Sequence, residues 1–212
     1  MPQIITAALF IACFFLFVRR RASVEKSAKA QNFVCLMTGV FSLLFVLFIL
    51  DGGNNWGGDF SEYIAQARAI VTGTIDVQVR NNAYIIENSP PFLGDVVYPW
   101  GFPFLLAPFY ALFGKNLFFL KLPVLLCFFF SVLLCNLLFR KHFSFFQAEL
   151  ATLFVAVNPT LIFFCNQPLS DVPFLCFSLM TLILCEALFF SADKKTQLLA
   201  GTGGAFPRSA RL

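Results

Sequence analysis

Residues 33–50, FVCLMTGVFSLLFVLFIL, contain no charged side chain, and the stretches 2–18, 117–139, 143–165 and 172–190 contain at most one each. Runs of this length match the roughly 17 to 25 apolar residues that carry a helix across a bilayer. Inside lipid every backbone N–H and C=O must be satisfied within the protein, so such runs fold as helices. The sequence therefore predicts an all-α, polytopic transmembrane helical protein with a single membrane domain. It has about five spans, at 2–18, 33–50, 117–139, 143–165 and 172–190, and a partial sixth in the tail 198–212. Composition agrees: 59% of the residues are hydrophobic and 12% charged, whereas an ordinary soluble domain carries about a quarter charged residues. The cysteines fall in or beside the apolar runs and read as small hydrophobes, without a disulfide framework or a metal motif.

Charge sets the direction of each crossing. Arg19, Arg20, Arg21, Lys26 and Lys29 follow the first run, Arg140, Lys141 and His142 follow the third, and Lys194 and Lys195 follow the last. By the positive-inside rule these loops are cytoplasmic and the N-terminus is outside. The first large outer loop, 51–116, opens with a polar stretch bearing Asp51, Asp59, Glu62, Asp76, Glu87 and Asp95 against Arg68 and Arg80. Polar chemistry concentrates there.

Within that loop, Phe60, Tyr63, Ile64, Ala67, Ile70 and Val71 repeat with helical period, and Gly73 ends the run. The spacing predicts an amphipathic surface helix from Phe60 to about Thr72, its apolar stripe against lipid or neighbouring spans. Asp59 and Glu62 form a capping-box pattern at its start. Residues 102–113 are too short to span and predict a second interfacial helix, with Pro103 in its first turn. Lys121 is expected to snorkel to the outer surface, Asn158-Pro159 to kink its span, and Glu149 and Glu186 to reach water at inner span ends. The tail reads as the opening of a span that stops short, which suggests a truncated product.

Read together, the string DFSEYIAQARAIVTG, the turn Tyr98-Pro99-x-Gly101-x-Pro103, the closing Leu-Phe-Gly and the span after Lys121 resemble the N-terminal part of the GT-C fold membrane glycosyltransferases. The likeness is to the bacterial branch related to protein O-mannosyltransferases and the lipid A aminoarabinose transferase, and it covers residues 34–190. The resemblance implies a location in the bacterial inner membrane with an extracytoplasmic active face. It implies a polyprenyl-phosphate sugar donor and a lipid, glycan or protein acceptor. It also implies that Asp59 is the catalytic carboxylate, with Asp171 on the second outer turn approaching the same site. Such transfer needs an acceptor hydroxyl oriented and deprotonated as the phosphate leaves.

Each candidate has a plainer role beside the sharper one. Asp59 is equally a helix cap, and Asp171 an acid favoured by the dipole of the helix it begins. The substrate-binding candidates are Glu62, Arg68, Tyr98 and Lys121. Glu62 also fits as the capping-box partner, Arg68 as a solvated surface charge and Tyr98 as an interfacial anchor. Arg80 is a weaker phosphate candidate. No metal site is readable, although Asp51 and Asp59 leave room for a shared divalent cation. Nucleic acid is not among the expected partners. A transporter or flippase subunit for lipid-linked sugars, or an inactive fragment, is the alternative.

Overall fold

The computed structural model describes residues 27–53, 59–88 and 98–200, the last of these as far as 189 with side chains. The expected span at 2–18 and the tail from 201 onward lie outside the described residues. Those residues form helices and no strand: α1 (Ala28–Ile49), α2 (Phe60–Thr72), α3 (Ile75–Asn81), α4 (Ala83–Glu87), α5 (Gly101–Phe113), α6 (Leu117–His142), α7 (Phe145–Ala156), α8 (Pro159–Cys165) and α9 (Asp171–Ala200).

Three of them are long and apolar enough to cross a membrane: α1, α6 and the Asp171–Phe189 part of α9. At 1.5 Å per residue the 22 residues of α1 reach about 33 Å, enough for a hydrocarbon core of roughly 30 Å. A fourth crossing results if α7 and α8 count as one span bent by 53°. The bend falls where the sequence places it. The Asn158 side chain accepts from the N–H groups of Thr160 and Leu161 (2.9 and 3.3 Å) and restarts the helix, with Pro159 in its first turn. Beyond residue 190 the charged segment 193–195 is helical. The backbone continues as helix to Ala200, because that segment contains neither proline nor glycine before Gly201 to break it.

α6 is the hub. It packs against α1, α5, α7, α8 and α9, and half of its apolar window is buried, against 17% for α1 and 22% for α9. Phe128, Leu120, Val124 and Val132 of α6 form the centre of the core. The outer faces of α1 and α9 expose Phe33, Phe48, Phe174 and Phe189, as suits lipid contact. The helices run alternately. Arg140, near the end of α6, bonds Gln31 and Asn32 at the start of α1, whereas Lys121, near the beginning of α6, bonds Asp51 just past the end of α1. The bundle thus has a basic end and an acidic end, and α2 to α5 belong to the acidic one.

At the basic end the expectation for Glu149 is corrected. It is 5% exposed, and its carboxylate accepts from Asn136 Nδ2 at 2.8 Å and Thr38 Oγ1 at 3.3 Å. One side of α7 faces both α1 and α6, so a residue near its start is covered even though water is close. Glu186 pairs with Lys141 at 2.6 Å.

α1 packs tightly on α6 at Gly39. A Cβ there would stand 2.9 Å from Leu133 Cδ2 and 3.0 Å from Phe129 Cε2. Gly39→Val is expected to destabilise the bundle by about 1–3 kcal/mol through overpacking. Gly39→Ala costs less, since both neighbours are side-chain ends that can turn. Thermal unfolding in detergent measures both, and an unchanged midpoint for the valine variant would contradict this packing.

Candidate functional site

The acidic end is assembled around α2. Its bounds follow the sequence, and Gly73 ends it with φ 68°, the left-handed conformation that glycine adopts without strain. The start differs from expectation. Asp59 has φ −78° and ψ −1°, a helical rather than extended backbone, and its side chain makes no capping bond. Caps normally need the extended conformation to aim their oxygen back at the free N–H groups. Asp59 Oδ1 accepts instead from the Tyr98 hydroxyl at 3.1 Å.

Glu62 does not reach back either. Its Oε1 accepts from Gln78 Nε2 at 2.7 Å and Asn82 Nδ2 at 2.9 Å, which holds α3 and the turn after it against α2. The capping box that does form lies elsewhere, where Gln147 Oε1 accepts from the Ser144 N–H at 3.2 Å.

The stripe of α2 faces protein. Phe60, Tyr63 and Ala67 are buried on the side packed against α5, whereas Val71 is 41% exposed. Gln66 is buried among them, and its Nε2 donates to the Tyr98 carbonyl at 3.0 Å. Tyr63 meets the rings of Tyr98 and Phe102 edge-on, with centroids 5.5 and 5.3 Å apart. Its hydroxyl lies 3.1 Å from Ser170 Oγ, next to Asp171. Burial, reinforced by the Asp59 carboxylate, pushes the Tyr98 phenol above its ordinary range, so it remains a donor at neutral pH.

The remaining candidates divide. Asp171 is exposed at the first position of α9, and Arg68 is exposed on the side of α2 away from α5. Arg80 pairs with Asp76 at 2.8 Å along one face of α3. Lys121 does not snorkel outward. It is fully buried, and its ammonium donates to the Asp51 carbonyl (2.9 Å), Asp51 Oδ1 (3.3 Å), the Gly53 carbonyl (2.5 Å) and Asn166 Oδ1 (2.9 Å). Those oxygens lie closer than solvent and are worth more to a desolvated cation.

Beside this latch lies a cleft of about 310 Å³ walled by Ile49, Ile162 and Phe163, which Asp59 and Tyr98 do not line. Among the described residues no three His, Cys, Asp or Glu side chains gather as metal ligands, and the carboxylates of Asp51 and Asp59 serve different partners. Sequence reasoning passed over Gln66, Ser170 and Asn166. Gln66 left a signal, a polar residue within an apolar stripe, whereas Ser170 and Asn166 left none.

Comparison with known protein families, with curated proteins and with solved structures finds no match.

The latch makes two expectations. Lys121→Met strands the oxygens that the ammonium satisfies, and is expected to cost about 1–3 kcal/mol in thermal or denaturant unfolding. The Asn166 side chain, with help from Lys121 and the Gly53 N–H, holds the Asp51 carboxyl below its usual value. A carboxyl lowered by folding adds stability above its ordinary range and loses it as pH falls through the lowered value. Unfolding midpoints followed from about pH 6 to pH 2 should therefore drop less steeply in Asp51→Asn than in the wild type.

Proposed function

We propose that the chain is a membrane glycosyltransferase module of the GT-C type. It moves a sugar from a polyprenyl-phosphate donor to an acceptor at the acidic end of the bundle. The sequence resemblance is one support. The observation that carries the reading is the Asp59 carboxylate, exposed at the start of α2 and engaged by a phenol rather than by its own helix. A carboxylate so held keeps one oxygen for an acceptor hydroxyl and can take its proton as the donor phosphate departs.

The acidic end suits a lipid-linked donor. α5 is a short apolar helix of 13 residues that packs on both α2 and α6, so the carboxylate sits beside helices that enter the membrane. Asp171, next to the Ser170 that meets Tyr63, is available for the acceptor side, whereas Arg68 stands half a turn round α2 from Asp59. The positive-inside rule supports a cytoplasmic basic end, from Arg140 and Lys141, with Asp59 on the other side, and the resemblance supports a bacterial plasma membrane.

A second reading has its own observation. Glu149 is buried between α1, α6 and α7, and ionisable groups inside a bundle mark ion and substrate pathways. A transporter or flippase subunit for lipid-linked sugars would use it.

One experiment separates the two. Transfer of radiolabel from polyprenyl-phosphate sugars is measured in membranes containing the wild type, Asp59→Asn and Glu149→Gln. The enzyme reading expects Asp59→Asn to lower transfer by about 100-fold or more, the usual range for a lost general base, with Glu149→Gln close to wild type. Full transfer by Asp59→Asn would end the assignment. Movement of labelled lipid across the bilayer that depends on Glu149, without transfer, would favour the transporter.

A further inference from the structure

One residue runs along the face of α2 that carries Asp59. Asp59, Tyr63 and Gln66 stand at positions i, i+4 and i+7, on one side of the helix and spread over about 10 Å. Tyr98 lies against all three. Its hydroxyl donates to Asp59 Oδ1 at 3.1 Å, its ring meets Tyr63 at 5.5 Å between centroids, and its carbonyl accepts from Gln66 Nε2 at 3.0 Å.

Gln66 is an odd choice for stability alone. It is 2% exposed, and its Oε1 has no hydrogen-bond partner among the described residues. A buried amide satisfied at one end only is worse for folding than an apolar side chain of the same shape. Methionine would fill that volume without the stranded Oε1, but it would leave the Tyr98 carbonyl without this donor. The end of Gln66 that is satisfied is the end that grips Tyr98.

That grip supplies what the local chain lacks. Pro99 biases Tyr98 towards an extended backbone but does not fix where its phenol goes. With the carbonyl held at Gln66 and the ring stopped by Tyr63, the phenol has one place to reach, which is Asp59.

We propose that Gln66 is a positioning residue: by holding the Tyr98 carbonyl it keeps the Tyr98 hydroxyl on Asp59 Oδ1, so that Oδ2 is the oxygen presented to an acceptor hydroxyl. The part concerning the acceptor rests on the glycosyltransferase reading, and the placement of Tyr98 does not.

The test uses the full chain in lipid nanodiscs, with a water-soluble carbodiimide and an amine nucleophile as the probe of Asp59. Labelling is followed by mass spectrometry of the peptide containing Asp59. Gln66→Met and Tyr98→Phe should each raise the labelling rate about threefold, because each uncovers Oδ1. The double variant should go no faster than either single one, since both remove the same hydrogen bond. Gln66→Asn, which withdraws the amide by one methylene, should change labelling in the same direction. In the transfer assay kcat should fall about tenfold with the acceptor KM unchanged, as expected when orientation rather than binding is lost.

Wild-type labelling in Gln66→Met overturns the proposal, and so does an additive double variant. If labelling responds as expected and no form transfers sugar, the positioning of Tyr98 on Asp59 stands and the enzyme reading falls.

Discussion

The acidic end of this molecule depends on a lysine ammonium buried one turn into α6. A cation removed from water is costly unless oxygen atoms replace its hydration. Lys121 finds four, two of them backbone carbonyls at Asp51 and Gly53, one the Asp51 carboxylate and one the Asn166 amide. These come from the chain just past α1 and just past α8, so a single charge ties the exit of two helices to the entry of a third. Ser170 and Asp171 follow Asn166 by only a few residues. The placement of the turn between α8 and α9, and through the contact of Ser170 with Tyr63 its relation to α2, is thereby linked to the same lysine.

The basic end is held differently. There the contacts join α1, α6, α7 and α9: Arg140 reaches Gln31 and Asn32, Lys141 reaches Glu186, and Glu149 is enclosed by Asn136 and Thr38. At the acidic end short helices lie on the bundle, joined by bonds such as Gln66 to Tyr98 and Glu62 to Gln78. α5 cannot cross a bilayer at 13 residues, yet it buries Phe102, Leu106 and Ala107. It forms a platform between the spans and α2, against which Phe60, Tyr63 and Ala67 are buried while Asp59 stays exposed.

Much of this was legible because it depends on period, length and turn chemistry. The limits of α2, its stop at Gly73, the short α5, the long α6 and the break at Asn158-Pro159 each follow from local residue types. What was not legible depends on partners distant in sequence. Lys121 looked like a snorkelling lysine because its own helix offers it nothing, and its partners lie 45 to 70 residues away. Glu149 looked solvated because the sequence does not say that α1 and α6 both cover it. The capping box of Asp59 and Glu62 failed for a similar reason. The motif states that the bonds are feasible, and side chains from residues 78, 82 and 98 bind more favourably.

That failure bears on function. Two carboxylates occupy the start of α2, and a capping box would have tied both to the backbone. Instead Glu62 takes two amide donors from the following segment and becomes part of the support. Among the described residues Asp59 meets a neutral phenol, which orients it without neutralising it. A phenol pushed above its ordinary range by burial keeps its proton and acts as a fixed donor. An arginine in the same place would have made a closed ion pair and blocked the carboxylate from a substrate hydroxyl. Under the proposed glycosyltransferase reading, the pair of Asp59 and Tyr98 is firm enough to hold a geometry and weak enough to leave a base available, the combination that proton transfer from an acceptor requires.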